Sequence, residues 1–377
     1  MITAAISLAN HNASITILKN NKIDLFIQEE RLSRKKNSAL LDSSLVKILK
    51  KYKKINQLIL CNFHNQEQIN NFLKLLSNIE KVFIDFKNHH LFHACSAFYL
   101  SGFKQATALV IDGWGSQIDI NNNMFYETTS IYNCSYPNKI IPIYKKVTYD
   151  PIRNYYCNTN LLENNFKEFE LDISHRLDIG VMYGSSSDYL GFDRLDGGKT
   201  MGLSSYGKMS KNVPNILFND EANMNVFKND RTLDIKNNPK LKNNSFKYKA
   251  NYAFALQKAL EKIFIKNIQY ILDRTNNKNI VFSGGCALNI LGNSVIKNTF
   301  KKINLFIDPI ANDACQSLGA ALYYYYNKKN TRQFKFNTVY LGPKYKIKEI
   351  KNKIKKWIIL NQQLKCLDVG NHSIKDI

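Results

Sequence analysis

Two histidines four residues apart, His89 and His93 in NHHLFHACSAF, form the densest chemistry-bearing cluster of the sequence. Positions i and i+4 of a helix share one face, so both imidazoles can reach a single metal ion. The pattern resembles HExxH, but position 90 is His rather than Glu. The built-in base of a zinc protease is therefore missing, and protease activity is discounted. The competing reading is a histidine-rich helix start, capped by Asn88 and holding no ligand, because such spacing often arises by accident.

Three glycine-bearing turns add a second theme. VIDGWG puts Asp112 and Gly113 at a strand end, where bare amides can approach a phosphate or a metal-bound water. FSGGCALN sets Gly284 and Gly285 between a strand and a helix whose first amides favour anions. DGGKTMGLSSYG surrounds Lys199, a point charge for phosphate, with Gly197, Gly198, Gly202 and Gly207. Each turn alone is ordinary loop punctuation, and together in an α/β chain they point to a nucleotide. His11 sits in the turn between the first two strands, either as a general base facing a cleft or as a plain polar turn residue. The run EERLSRKK brings Glu29, Arg31, Arg34 and Lys36 to the end of the third strand, where a solvated charged face is the ordinary reading.

The elements that must position these residues follow from periodicity. TAAISLAN, ASITILKN and KIDLFIQEE read as a three-strand meander. Helical SLVKILKKY, strand QLILCNF, helical QEQINNFLKLL, strand KVFIDF and a helix from near His89 complete a βββαβα order. A second series starts at ATALVIDGWG, with IDI and FYETTSIY as short strands, and passes through an irregular middle. It ends in the long helix NYAFALQKALEKIFIKNIQYILDRT, strand NIVFSGG, helix ALNILGNSVIKNT, strand KINLFIDP and helix ACQSLGAALYYYY. The expected fold class is α/β, a duplicated RNase H-like (actin-like) fold of two lobes around a cleft. The first lobe is placed at residues 1–105 and the second at 106–335, with a polar, irregular surface insertion at about 208–250. Residues 336–377, with TVYLGPKYKIKEIKNKIKKWI read as a strand, a turn and a basic helix, are too few for a core of their own.

With 377 residues, 44% hydrophobic and 22% charged, the chain can bury a sizeable core. No apolar run approaches the roughly 18 residues of a spanning helix, and no signal peptide opens the sequence, so a cytoplasmic protein without membrane contact is expected. Seven cysteines at 61, 95, 134, 157, 286, 315 and 366 form no CxxC pair and read as reduced thiols. The formal charge of +23 suggests an anionic partner. Nucleic acid is disfavoured, because Lys and Asn are abundant everywhere and no helix-turn-helix, zinc-finger or RNP pattern accompanies the charge. Phosphorylated small molecules fit equally well.

HNAS, EERLSRKK, HHLFHACSAFY, VIDGWG, GGKTMGLSSYG, SGGCALN and NDACQSLGAAL occur in the order seen in the O-carbamoyltransferases of the nodulation protein U and nebramycin carbamoyltransferase type. The sequence resembles that family from residue 1 to about 335. The resemblance implies a domain similar to the tRNA threonylcarbamoyl-transfer proteins, with His89, His93 and Asp313 binding a divalent metal, iron by resemblance and zinc or manganese by ligand type. It implies that carbamoyl phosphate and ATP give carbamoyl adenylate, whose carbamoyl group passes to the hydroxyl of a small molecule, sugar or nucleoside. His11 matches the catalytic histidine and Lys36 a basic residue near the nucleotide; Asp112, Gly113, Gly284, Gly285 and Asn289 would line the adenylate, with Lys199 nearby. Two departures stand out. Cys315 occupies a position that is usually Gly, where a side chain is expected to narrow the phosphate turn, and Asn12 replaces a commonly acidic neighbour of the histidine. Relatives carry a further YrdC-like domain that makes the adenylate, of which only the opening strand and helix are expected at 336–377, so a separate YrdC-like activating chain is an expected partner. A tRNA threonylcarbamoyl-transferase-like protein and an inactive nucleotide- or partner-binding remnant are the alternatives.

Overall fold

In the computed structural model the described residues are 1–8, 11–38, 43–62, 66–120, 123–149, 169–327, 336–343 and 345–360. The alternating runs at the N-terminus become β1 (Ile2–Ser7), β2 (Ser14–Lys19) and β3 (Lys22–Gln28), followed by α1 (Glu29–Ser33), α2 (Ser43–Lys50), β4 (Gln57–Cys61), α3 (Gln66–Lys74), β5 (Val82–Asp85) and α4 (His89–Ser101). The five strands form one sheet in the order β3-β2-β1-β4-β5, with β1 antiparallel to β2 and parallel to β4. Leu25, Ile27, Leu49, Leu58, Leu60, Ile69 and Phe72 close its core against the amphipathic faces of α2 and α3. EERLSRKK does not extend the third strand: Glu29 opens the short helix α1, and Arg34 ends it in the left-handed conformation at φ 60°.

The order then repeats with additions: β6 (Gln105–Ile111), β7 (Gln117–Ile120), β8 (Asn123–Ser135), β9 (Lys139–Tyr149), β10 (Glu170–Ser174), α5 (Ile179–Leu190), α6 (Gly197–Ser204), the ribbon β11 (Leu217–Phe218) and β12 (Glu221–Ala222), α7 (Phe246–Thr275), β13 (Asn279–Ser283), α8 (Ile290–Thr299), β14 (Asn304–Ile307) and α9 (Cys315–Tyr326). The second sheet runs β10-β9-β8-β6-β13-β14, with β7 paired to β8. Without β10 and β7 this is the same arrangement as the first sheet: a three-strand antiparallel meander with two parallel strands beside its first member. The fold is therefore a duplicated RNase H-like α/β architecture of the actin-like kind.

Helices α4 and α9 are exchanged between the two halves. Helix α4 packs on β6, β8 and β13 of the second sheet, α9 packs on β1, β2 and β4 of the first, and the two cross each other. Ten of the thirteen α4 residues from His89 to Ser101 are apolar, aromatic or small hydroxyl types, and the helix is buried on all sides, as a helix without a polar face must be. Its three histidines are therefore interior groups. At the crossing, Gly319 leaves no room for a side chain: a Cβ there would lie 1.9 Å from the Phe92 carbonyl oxygen.

The stretch expected as a surface insertion at about 208–250 is irregular but not superficial. Val213, Ile216, Ala222, Val226, Phe227, Leu233 and Leu241 all enter the core shared by the second sheet and α7. DGGKTMGLSSYG is not a strand-end turn, because Gly197–Ser204 is helical. Beyond Val339 a separate unit, Tyr340–Ile377, contains α10 (Ile347–Leu360); the strand expected at TVYLGP does not form among residues 336–343. Among the described residues the five cysteines are free and buried, and no helix is long and apolar enough to cross a membrane. Cys157 and Cys366 lie outside the described residues.

Candidate metal centre and its cavity

Parallel pairing places the carboxyl ends of β6 and β13 side by side, with Val110 opposite Ser283. Asp112 and Gly284 thus leave the sheet at one edge, the edge where open α/β sheets bind ligands. The turn is tight. Gly284 adopts φ +91°, and a Cβ on it would meet the Ile111 carbonyl oxygen at 2.3 Å, so only glycine fits. Helix α4 starts above this edge. The Asn88 side chain does not cap it, donating instead to Asp85; the Ser116 hydroxyl accepts from the His89 amide at 3.0 Å.

Four ligand-type groups converge here. His89, His93, Asp112 and Asp313 offer atoms that all lie within 4.8 Å of one another, and all four residues are buried. His89 Nε2 lies 3.2 Å from Asp112 Oδ2 and 3.6 Å from Asp313 Oδ1. His93 Nε2 lies 3.4 Å and 3.6 Å from the same two oxygens, yet it is a buried nitrogen with no hydrogen-bond partner. Two imidazoles and two carboxylates with an orphaned nitrogen aimed between them fit a divalent cation. Asp112, expected to line a nucleotide, is a fourth member of this set. Its distance of 23 residues from His89 hides the pairing from any local motif, and only the packing of α4 over the end of β6 reveals it.

Each imidazole and each carboxylate of the cluster shifts the other's titration. Burial opposes charge on His89, but Asp313 and Asp112 overcome it and hold the imidazole up to about 9. His93 is likewise held well above its usual range against its burial, by Cys315, Asp112 and Asp313. Burial works against the Asp112 carboxylate too, and the two histidines outweigh it, keeping its pKa well below the usual value.

Asp313 reaches the cluster from the loop before α9. That loop is tied to the first sheet by the Ser14 hydroxyl, which donates to the Ala314 carbonyl at 2.7 Å, and by Ser317, which meets Ser14 and Thr16 at 2.8 and 2.9 Å. One ligand thus comes from the strand β2 side while two come from α4. His11 stands beside Asp313, its Nδ1 3.7 Å from Oδ2. The same Nδ1 is 2.7 Å from Asn12 Oδ1, so it donates there and leaves Nε2 with the lone pair a base needs. Asn12 thus supplies the acceptor for His11 Nδ1.

A cavity of about 380 Å³ opens from this cluster. His11, Asp112, Gly113, Gly285, Asn289 and Asp313 line it, and Trp114, Val181, Tyr183, Met201, Leu260 and Leu288 supply an apolar wall. That wall comes from the turn after β6, from α5, α6 and α7 and from the segment before α8, and its members on α5 and α7 lie in no sequence motif. The remaining expected residues have other partners. The Gly113 and Gly285 amides donate to Asp112 Oδ1, at 2.8 and 3.2 Å. Asn289 caps α8 through Gly292 and bonds Gln257. Lys36 and Lys199 both pair with Asp196, and neither lines the cavity. Gly284 shapes the turn without lining the cavity. Cys315 does not narrow it either: its thiol is wholly buried, with Sγ 3.0 Å from His93 Nδ1.

Residues 44–322 match the family described as carbamoyltransferase N-terminus. Among curated relatives, an uncharacterized protein of Methanocaldococcus jannaschii is 29% identical over 369 residues, covering 91% of this chain and 62% of its own. The nodulation protein NolNO of Sinorhizobium fredii is 22% identical over 348 residues, covering 83% of this chain and 46% of its own. Against T. kodakarensis HypF the TM-score is 0.49, with 11% identity over 88% of this chain and 48% of that one. The chain spans 62%, 42% and 46% of the length of the first three curated relatives it matches. With about three quarters of its residues inside the family match, the chain belongs to the carbamoyltransferase family.

Proposed function

We propose that this chain transfers a carbamoyl group from carbamoyl adenylate to a hydroxyl of a small molecule, sugar or nucleoside, using a divalent metal held by His89, His93, Asp112 and Asp313. The observation that carries the reading is the convergence of those four buried ligands, two of which, Asp112 and Asp313, line a cavity whose wall also holds His11. The bound ion supplies Lewis-acid polarisation of a carbonyl or phosphate oxygen. His11 Nε2 takes the proton of the acceptor hydroxyl as its oxygen bonds to the carbamoyl carbon; the bond from that carbon to the phosphate oxygen breaks, and AMP leaves. Asn12, by accepting from Nδ1, holds His11 in the tautomer this requires. The apolar wall of Tyr183, Leu260 and Leu288 accommodates a flat, weakly polar moiety of donor or acceptor and excludes water from the reacting centre. Formation of the adenylate from carbamoyl phosphate and ATP is assigned to a YrdC-like activity outside residues 1–339.

The test is metal content of wild type beside His89→Ala and Asp313→Ala, followed by reaction with synthetic carbamoyl adenylate and a hydroxyl acceptor. About one equivalent of metal, lost in both variants together with AMP release, is the expected result. Absence of metal from all three proteins, or release of pyrophosphate from carbamoyl phosphate and ATP by this chain alone, would contradict the reading.

A further inference from the structure

We infer that Asp308, acting through Ser283, fixes the ring tautomer of His93 so that its Nε2 lone pair faces the ion site. This positioning role rests on the metal reading above and names two residues that are neither members of the ligand cluster nor lining of the cavity.

His93 is fully buried, so its two ring nitrogens must be satisfied from within the protein. Nε2 faces Asp112 and Asp313; Nδ1 lies 3.2 Å from Ser283 Oγ and 3.0 Å from Cys315 Sγ. A neutral imidazole carries one proton, and a nitrogen that binds metal must offer its lone pair. With Nε2 on the ion, the proton sits on Nδ1 and has to be donated.

The serine decides whether that donation is possible. Ser283 Oγ is 3.1 Å from Asp308 Oδ2, and Asp308 Oδ1 already accepts from the Ile310 amide at 2.9 Å. Asp308 is 1% exposed. Burial raises its carboxyl pKa, while the Ile310 amide and Ser283 draw it back by donating to the charged form. A carboxylate only accepts, so the single Ser283 hydroxyl proton goes to Asp308 and an oxygen lone pair remains for the Nδ1 proton. In the opposite tautomer Nδ1 would need a donor, yet Ser283 has no second proton and a thiol is a weak one. The chain therefore runs His93 Nδ1–H to Ser283 Oγ, then Ser283 Oγ–H to Asp308 Oδ2. Ser283 ends β13 and Asp308 follows β14, so adjacent parallel strands present the relay at the sheet edge that carries Asp112. Outer partners of this kind typically shift metal affinity by about 10- to 100-fold when removed.

The experiment uses the full chain and zinc as the probe. Zinc affinity is measured by competition with a chromophoric chelator for wild type, Ser283→Ala and Asp308→Asn, with circular dichroism melts checking the fold. Both variants should still bind one equivalent, about 10- to 100-fold more weakly. Asp308→Asn should lose at least as much as Ser283→Ala, because its amide would donate to Ser283 and turn that hydroxyl proton toward Nδ1. In zinc-loaded wild type, the histidine ring proton spectrum should place a slowly exchanging proton on His93 Nδ1. Affinities within twofold of wild type in both variants, or no Nδ1 proton in the zinc-loaded protein, would overturn the relay; the spectrum needs no variant to fold. A wild type that takes up no zinc, iron or manganese overturns the metal reading itself.

Discussion

Replacing Gly319 by alanine should loosen the metal cluster without altering a ligand. The new Cβ would sit 1.9 Å from the Phe92 carbonyl oxygen and 2.6 Å from its carbon, backbone atoms of α4 that cannot rotate away. To restore an ordinary contact of 3.4 Å, α4 and α9 must part by about 1.5 Å at the crossing. Helix α4 carries His89 and His93, and Asp313 precedes α9 by two residues, so the same displacement separates the ligands. Metal–ligand distances tolerate only about 0.2 Å. Overpacking of this size costs about 1–3 kcal/mol, and alanine regains about 1 kcal/mol of helix propensity over glycine. The melting temperature of the metal-free protein should thus fall by only a few degrees, whereas zinc affinity should drop at least about tenfold. Chelator competition and thermal melts read the two quantities separately. Unchanged zinc affinity with a raised melting temperature would mean that propensity dominates and that the crossing does not set the ligand spacing.

His11→Ala should retain one equivalent of metal while losing transfer to the acceptor, as metal analysis and AMP release would show; loss of the metal would make His11 structural. Lys145 and Glu127 form a buried ion pair at the β8–β9 ladder, and Glu127 also accepts from the Ser116 amide. Lys145→Met should cost about 3–5 kcal/mol by stranding the carboxylate, and adding Glu127→Gln should recover part of it in urea melts; a fully additive pair would refute the coupling. In the metal-free protein His89 is held up to about 9, against its burial, by Asp313 and Asp112. Between the ordinary 6.5 and 9 the folded state binds more protons than the unfolded one, so stability falls as pH rises. His90 is pushed down to about 3 by burial, so below 6.5 the unfolded state binds more protons and stability falls with acid. Urea midpoints of the metal-free chain should therefore peak near pH 6.5, and zinc should flatten the alkaline limb; a rise from pH 7 to 9 without metal would contradict the assignment.

What the sequence disclosed was local. Strand and helix periods gave the first βββαβα series and the closing helices and strands of the second, and HxxxH gave two ligands, because these signals repeat within a few residues. Strand β9 was hidden by Pro142 and three lysines; Pro142 pairs with Tyr132 beside a register shift, where the missing amide is tolerated. Helix α6 was hidden by three glycines in eight residues, and it is packing against α7 that holds it. The irregular 208–250 stretch looked superficial because its apolar residues follow no period, yet Phe227 and Val226 are fully buried. Asp112 as a ligand, and Ser283 and Asp308 behind His93, depend on which strands become neighbours, which no residue spacing encodes.

The lysines show where charge and function part. The sequence carries a net +23, and Lys36 and Lys199 were the cations expected near the nucleotide. Both ammonium groups instead converge on Asp196, which precedes α6, and their side chains are 69% and 61% exposed. A cation that shares one carboxylate with another in solvent contributes little field at a distance. On the proposed function, an anionic donor would be held by an ion at the His89–Asp313 cluster and by the amides at the start of α5, where Gly180 and Val181 line the cavity together with Arg194. Lys36→Ala and Lys199→Ala should each leave binding of an AMP-containing ligand within about twofold of wild type, since either lysine alone keeps Asp196 paired. Removing both should weaken it more than the two single effects combined, by leaving an unpaired carboxylate beside Gly197 and Gly198 at the cavity edge. Isothermal titration at low and high salt separates these outcomes. Loss of binding in Lys199→Ala alone would show that its ammonium leaves Asp196 for the ligand's phosphate, and the assignment of anion binding to the ion and α5 would fail.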